Sequence, residues 1–128
     1  MDVLLDTHTL LWAILEPSHL SRQAATLIAD HKNTIFVSAA SAWEVSTKVR
    51  IGKLPLAVDF EKRFGELVDR AGFVQLPIDT DTALNAGRFT AKHKDPFDRI
   101  IAAQALAMDL LIISVDPDLD NFGVRRIW

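Results

Sequence analysis

Short apolar runs rich in branched residues alternate along this chain with longer segments of helical period, and that alternation leaves few folds open. Strand, helix and strand in succession point to an α/β domain built on a mostly parallel sheet. The strand segments are Val3 to Asp6, Thr34 to Ser38, Phe73 to Leu76, Leu110 to Val115 and Val124 to Trp128. They predict a modest sheet of five strands.

The helical segments carry recognisable ends. The first, Thr7 to Leu15, stops at Glu16-Pro17, because the residue before a proline avoids helical geometry. Ser21 can cap a second helix through Ile28. A third runs from about Ser41 to Ile51 and ends at Gly52, and a fourth starts near Asp59 and stops at Gly72, glycine tolerating the left-handed geometry that follows a helix. A fifth covers about Thr82 to Ala91. The sixth, Pro96 to Met108, has proline in its first turn, where the missing N–H costs nothing. With 128 residues, 49% of them hydrophobic, there is material for one buried core, and no linker, repeat or low-complexity tract divides it. One domain over residues 1–128 is expected.

Composition narrows the chemistry. The absence of cysteine excludes disulfide scaffolds and thiolate zinc sites. No basic segment leads an apolar stretch at the start, and no apolar run approaches the roughly 20 residues needed to span a bilayer, so a soluble cytoplasmic protein with no membrane partner is expected. A formal net charge of -3 argues against holding nucleic acid by overall positive charge. Any such contact has to be local. Lys48, Arg50 and Lys53 follow Glu44, and Arg88, Lys92, Lys94 and Arg99 surround Asp95 and Asp98; these read either as basic shoulders of an acidic pocket or as solvated helix faces.

Four acids are candidates for a site, and two of them stand at strand ends, where a parallel sheet puts its ligands. Asp6 closes the first strand, and the carboxyl ends of strands are where open sheets bind, although an aspartate there also caps the next helix. Asp116 repeats that placement after the strand from Leu110 to Val115. Asp95-Pro96-Phe97-Asp98 starts a helix; Asp95 reads as its cap and Asp98, held on the rigid helix, as the site residue. Glu44, in Ser41-Ala42-Trp43-Glu44, fits a capping box with Ser41 and could also pair with Lys48 one turn on. Asp118 and Asp120 read as loop residues shaped by Pro117. Carboxylates that converge repel by about 4 kcal/mol per pair at about 4 Å and an effective dielectric near 20, so four of them need a cation. An all-oxygen site suits magnesium or manganese better than zinc. His8, His19, His31 and His93 form no close pair by spacing and read as surface or hydrogen-bonding residues rather than ligands, His93 being the least settled because it adjoins Asp95.

These residues together resemble the PIN-domain family, and in particular VapC-type toxins of toxin–antitoxin pairs. The likeness runs over nearly the whole chain: Leu5-Asp6-Thr7-His8-Thr9-Leu10-Leu11-Trp12, Ser41-Ala42-Trp43-Glu44-Val45 with Lys48, Gly52-Lys53-Leu54, Leu76-Pro77-Ile78, His93-Lys94-Asp95-Pro96-Phe97-Asp98-Arg99 leading into Ala102-Ala103-Gln104-Ala105, and Ser114-Val115-Asp116. The resemblance implies a three-layer α/β/α sandwich, with Asp6, Glu44, Asp98 and Asp116 as the catalytic, metal-holding acids and Ser114 as a hydroxyl that orders them. It also implies an endoribonuclease that uses Mg2+ or Mn2+ to activate water, leaving a 5′-phosphate and a 3′-hydroxyl. A homodimer and a cognate antitoxin as partner belong to the same implication, and Leu10, Leu11, Trp12, Trp43 and Phe97 offer apolar bulk for such contacts or for the core.

Two other functions fit part of the pattern. A magnesium-dependent phosphohydrolase working through an aspartyl-phosphate also ends its first strand in an aspartate, but it needs a second acid two residues on, where this chain has His8. A degenerate module of the same fold that binds RNA or protein without cutting is the other, and the four retained acids weigh against it.

Overall fold

The computed structural model describes residues 1–128. Its strands are β1 (Asp2–Leu5), β2 (Thr34–Ser38), β3 (Val74–Leu76), β4 (Leu111–Ile113) and β5 (Arg126–Ile127). Its helices are α1 (Thr7–Leu15), α2 (Arg22–Ala29), α3 (Ala39–Arg50), α4 (Val58–Lys62), α5 (Phe64–Arg70), α6 (Thr80–Arg88) and α7 (Pro96–Met108), with 3-10 turns at Pro17–His19, Pro55–Ala57 and Pro117–Phe122. No helix is long and apolar enough to cross a membrane.

All strand pairs are parallel, in the order β3-β2-β1-β4-β5. The two-residue period of each strand sorts its side chains onto two cores. Val3 and Leu5 of β1, Ile35 and Val37 of β2 and Ile113 of β4 face one core, closed by Leu10 and Leu11 of α1, Ala24 of α2, Val45 of α3, Phe60 of α4 and Val68 of α5. Leu4, Ile112 and the partly buried Phe36 face the other, closed by Ile101, Ala102 and Ala105 of α7 with Leu119 and Phe122. Helices therefore cover both faces, and the sheet is the middle of three layers. The runs read as strands are almost wholly apolar because both of their faces are covered.

Several elements depart from the sequence expectation. The third helix begins at Ala39, not Ser41, because Ser38 at the end of β2 is its cap, its hydroxyl accepting from the Ala40 N–H at 2.9 Å. Ser41 is thereby inside the helix, where its hydroxyl bonds that of Thr7 at 3.0 Å and ties α3 to the start of α1. The fourth helix is two: the chain leaves helical geometry at Arg63 (φ -117, ψ 24), yet Phe60, the partly buried Phe64 and Val68, four residues apart in turn, still face the same core. The fifth helix starts at Thr80 under an Asp79 cap and is over by Phe89, whose backbone is extended. Strand β2 has the expected bounds and β1 is shifted by one residue, whereas β3, β4 and β5 are shorter than the apolar runs that contain them.

The order of the sheet fixes where a ligand can sit. From β1 the chain moves outward through β2 to β3, then returns to the opposite side of β1 as β4 and β5. The crevice opens at that reversal, beyond the carboxyl ends of β1 and β4, where Leu5 is paired with Ile113.

Candidate metal centre

Asp6 and Ser114 are the next residues along these two paired strands, and they meet across the crevice. One Asp6 oxygen accepts the Thr9 N–H at 2.8 Å, capping α1, and the other accepts the Ser114 hydroxyl. Of the two uses offered for Asp6, the cap of α1 is present, and its second oxygen is held by Ser114 beyond the carboxyl end of β1. Ser114 also accepts the Asp116 N–H at 3.0 Å, so one hydroxyl ties Asp6 to Asp116. Asp116 in turn caps the Pro117–Phe122 turn, accepting from the Asp118 N–H at 2.9 Å.

Asp98 reaches the same place from α7. Asp95 is the helix cap, its carboxylate accepting the N–H groups of Phe97 at 2.9 Å and Asp98 at 3.3 Å. That leaves the Asp98 side chain free of capping, and it accepts a hydrogen bond from His93 Nε2 at 2.8 Å. His93, Asp98 and Asp116 each present a ligand atom such that all three lie within 4.8 Å of one another. His93, read as a surface or hydrogen-bonding residue, is a hydrogen-bonding one, and its partner is an acid that spacing did not pair with it. A rule that looks for histidine pairs along the sequence has no means of finding one that a loop folds back onto an acid five positions ahead.

Glu44 approaches from α3 and is only 4% exposed. Since Ser38 caps that helix, Glu44 is not the far half of a capping box, which corrects the pairing with Ser41. The expected pair with Lys48 is present through Oε2. Oε1 is buried with no partner. A carboxylate oxygen in that condition costs on the order of a few kcal/mol unless something positive meets it.

The electrostatics agree with the geometry. Burial pushes the Asp98 carboxyl up from 3.8 to about 6; the charges of Asp95, Glu44 and Asp6 add to the rise and the His93 hydrogen bond opposes it. Burial likewise raises Asp6, against the bonds from Ser114 and Thr9. Glu44 and Asp6 therefore bear on Asp98 although they stand outside the tightest cluster. Buried acids, an unpaired buried oxygen and mutual repulsion are what a divalent cation would relieve, so the donors gathered here fit one.

A pH dependence follows. Because the folded-state pKa of Asp98 lies above its ordinary value, its contribution to stability is fully present below pH 3.8 and is lost as pH rises through about 6. A difference of that size corresponds to about 3 kcal/mol at most. The cation-free protein is expected to melt at lower temperature as pH rises across this window, and magnesium is expected to restore more stability at about pH 7.5 than at about pH 5, because it binds the deprotonated acids. Calorimetry with and without chelator measures both; an equal magnesium effect at the two pH values would contradict it.

Of the seven basic residues offered as shoulders, two are spoken for. Lys48 holds Glu44, and Arg99 is directed inward, donating to the carbonyls of Ala86, Gly87, Phe89, Ala91 and His93. Arg50, Lys53, Arg88, Lys92 and Lys94 are exposed. Of the apolar residues, Leu10 and Leu11 are core, while Trp12 is half-buried against Trp128. Trp43 is 53% exposed and meets the half-buried Phe97 edge-on at 4.6 Å, one residue from Glu44 and from Asp98 respectively. Asp118 is an exposed loop residue, as expected, whereas Asp120 is held by Arg126.

A three-layer domain whose parallel sheet gathers acids beyond its carboxyl edge belongs to the large class of α/β proteins that bind at a topological switch point. The PIN domain family model matches residues 3–124, and the chain belongs to that family, whose members are generally nucleases. Among solved structures, the chain is similar to that of VapBC2 from Rickettsia felis bound to a DNA fragment from their promoter, with a TM-score of 0.70 at 14% identity, covering 99% of this chain and 98% of that one. It is similar also to FitAcB from Neisseria gonorrhoeae, with a TM-score of 0.63 at 20% identity over 100% of this chain and 97% of that one. FitAB bound to an IR36 DNA fragment gives a TM-score of 0.63 at 18% identity over 99% and 94%. At these identities the likeness is one of fold. No curated protein sequence matches the chain.

Proposed function

We propose that the chain is a metal-dependent endoribonuclease, the VapC-type toxin of a toxin–antitoxin pair, and that Asp6, Glu44, Asp98 and Asp116 hold its Mg2+ or Mn2+. The observation that carries this reading is the convergence of Asp98 and Asp116 beside Asp6 at the reversal of the sheet, with the unpaired buried oxygen of Glu44 close enough to bear on Asp98. A bound divalent cation supplies Lewis acidity there, activating water and offsetting the charge of the scissile phosphate.

The chain's own groups supply position. Ser114 and the Thr9 N–H hold Asp6, and His93 holds Asp98, so that the acids keep one arrangement while ionised. The Ser114 hydroxyl, the one bonded to an acid of this cluster, is fully buried and taken up by Asp6 and the Asp116 N–H, which favours hydrolysis by water over a covalent intermediate: an O–P bond forms from water, the P–O3′ bond breaks, and the strand is left with a 5′-phosphate and a 3′-hydroxyl. Exposed Lys92 and Lys94 flank His93 and can take phosphates on either side of the cut, a local charge in a chain that is acidic overall. The Trp43 and Phe97 rings beside the acids offer a face on which an unpaired base can stack, which suits a single-stranded or looped RNA.

A cognate antitoxin protein is the proposed partner, a homodimer the proposed assembly and the cytoplasm the proposed compartment, all three following the resemblance to VapC-type proteins. The activity is tested by incubating the protein with structured RNA and magnesium, with and without EDTA. Cleavage is expected with magnesium and is expected to stop in chelator and in Asp6→Asn; cutting that continues undiminished in either would reject the proposal. Sedimentation at micromolar concentration is expected to give a dimer, and monomer alone would reject that part.

A further inference from the structure

His93 bonds Asp98, its main chain is held by Arg99, and its ring packs against Phe122. Arg99 Nη1 donates to the His93 carbonyl at 2.9 Å, and Phe122 meets the imidazole edge-on at 5.4 Å between centroids. With 16% of its side chain exposed, the ring is nearly out of solvent.

We propose that His93 is a nitrogen ligand of the cation held by Asp98 and Asp116, which gives the centre a preference for first-row transition cations over Mg2+. His93 can act so only if the acidic cluster is a cation site, as the proposed function holds. The geometry suits it. Cis ligands around a six-coordinate cation at about 2.1 Å lie roughly 3 Å apart, and His93 Nε2 stands 2.8 Å from Asp98 Oδ2. The hydrogen bond between them thus has the length of one edge of a coordination shell, and the third donor, from Asp116, lies within 4.8 Å of both. Replacing that bond by two bonds to a cation needs little movement of either side chain.

Charge favours it too. Asp6, Glu44, Asp98 and Asp116 bring four negative charges, and the one ammonium paired with any of them is Lys48. Neutral imidazole adds a donor without adding to that repulsion. The buried Glu44 oxygen that lacks a partner is an independent sign that the cluster is built around a positive charge absent from the protein itself. A mixed nitrogen and oxygen shell changes selectivity: imidazole suits the later first-row cations, and affinity for such a site rises from manganese to cobalt by the ordinary order of divalent cations, whereas magnesium is suited by oxygen donors.

The test uses the full chain, wild type and His93→Gln, which keeps an N–H for Asp98 but removes the imidazole. Binding of Mg2+, Mn2+ and Co2+ is measured by calorimetry, and pulsed electron paramagnetic resonance of Mn2+ in the wild-type protein reads directly whether a nitrogen nucleus is coupled to the ion. The expected result is nitrogen coupling in the wild type and a Co2+ affinity that falls by about 10- to 100-fold in His93→Gln, while Mg2+ affinity changes by less than about threefold. Manganese bound without nitrogen coupling, or Co2+ and Mg2+ weakened alike, would overturn His93 as a ligand and leave the acidic site standing. No binding of any of the three ions to the wild type would overturn the cation site, and this inference with it. The manganese spectrum of the wild type decides the matter even if His93→Gln fails to fold.

Discussion

Asp98→Asn is expected to remove RNA cleavage while making the cation-free protein more stable. Asparagine has the shape of aspartate, and its side-chain oxygen can still accept from His93. What it lacks is the charge, which burial and the neighbouring acids oppose strongly enough to bring the Asp98 carboxyl to about 6. Above that pH the wild-type protein bears an ionised group its surroundings disfavour, and the variant does not. The gain is expected to be about 1–3 kcal/mol at neutral pH in chelator, shrinking as pH falls through about 6 and gone below about 4, where Asp98 is neutral in the folded and unfolded chain alike. The loss of cleavage is expected to be at least a hundredfold, since removing a ligand to a catalytic cation forfeits several kcal/mol of transition-state stabilisation. Urea titration in EDTA and initial cleavage rates in magnesium measure the two halves. A variant less stable than wild type in EDTA would mean that the His93 pair outweighs burial, and the electrostatic account of the site would be wrong.

Arg99→Ala is expected to cost more than any other single surface-facing change, about 3–5 kcal/mol. The guanidinium donates to five main-chain carbonyls between Ala86 and His93 and lies against the rings of Phe89 and Phe122. Without it, several partly buried carbonyls lose their donor and the irregular segment from the end of α6 to the start of α7 loses its anchor. Domains of this size are stable by only about 5–15 kcal/mol, so the variant is expected to sit near the limit of folding. Lysine should not rescue it, since a single ammonium cannot span a fork of five donors. Under conditions that keep it folded, hydrogen exchange between residues 89 and 95 should quicken and cleavage should fall, because His93 is carried by that segment. Stability within about 1 kcal/mol of wild type would show that the carbonyls find water as readily as they find Arg99.

The reach of sequence reading differs between these residues for physical reasons. Helix α7 could be bounded at both ends because Asp95-Pro96 is a local signal, complete within adjacent residues, and the same holds for α1, stopped by Pro17. The three layers could be foreseen because the covering of both sheet faces is written into strands with almost no polar residues. The start of α3 could not. Ser38 and Ser41 are both good caps three residues apart, and which one is used depends on where β2 leaves the sheet, a matter of long-range register rather than local chemistry. Asp6, Asp98 and Asp116 were legible as acids beside strand ends and a helix start. Arg99 was not legible as an anchor because its partners are carbonyl groups, which every residue has. His93 needed the loop that Arg99 holds before it could be seen beside Asp98.

The central claim is that one cation is shared by acids drawn from β1, α3, α7 and the segment after β4. Crystals grown with manganese and measured at the manganese absorption edge test it most directly, since anomalous scattering locates the ion without reference to any assumed site. A single strong peak or a close pair is predicted among Asp6, Glu44, Asp98 and Asp116, about 2.0–2.3 Å from carboxylate oxygens. Manganese found only on outlying surface acids, with the crevice beyond β1 and β4 left without a peak, would contradict the account.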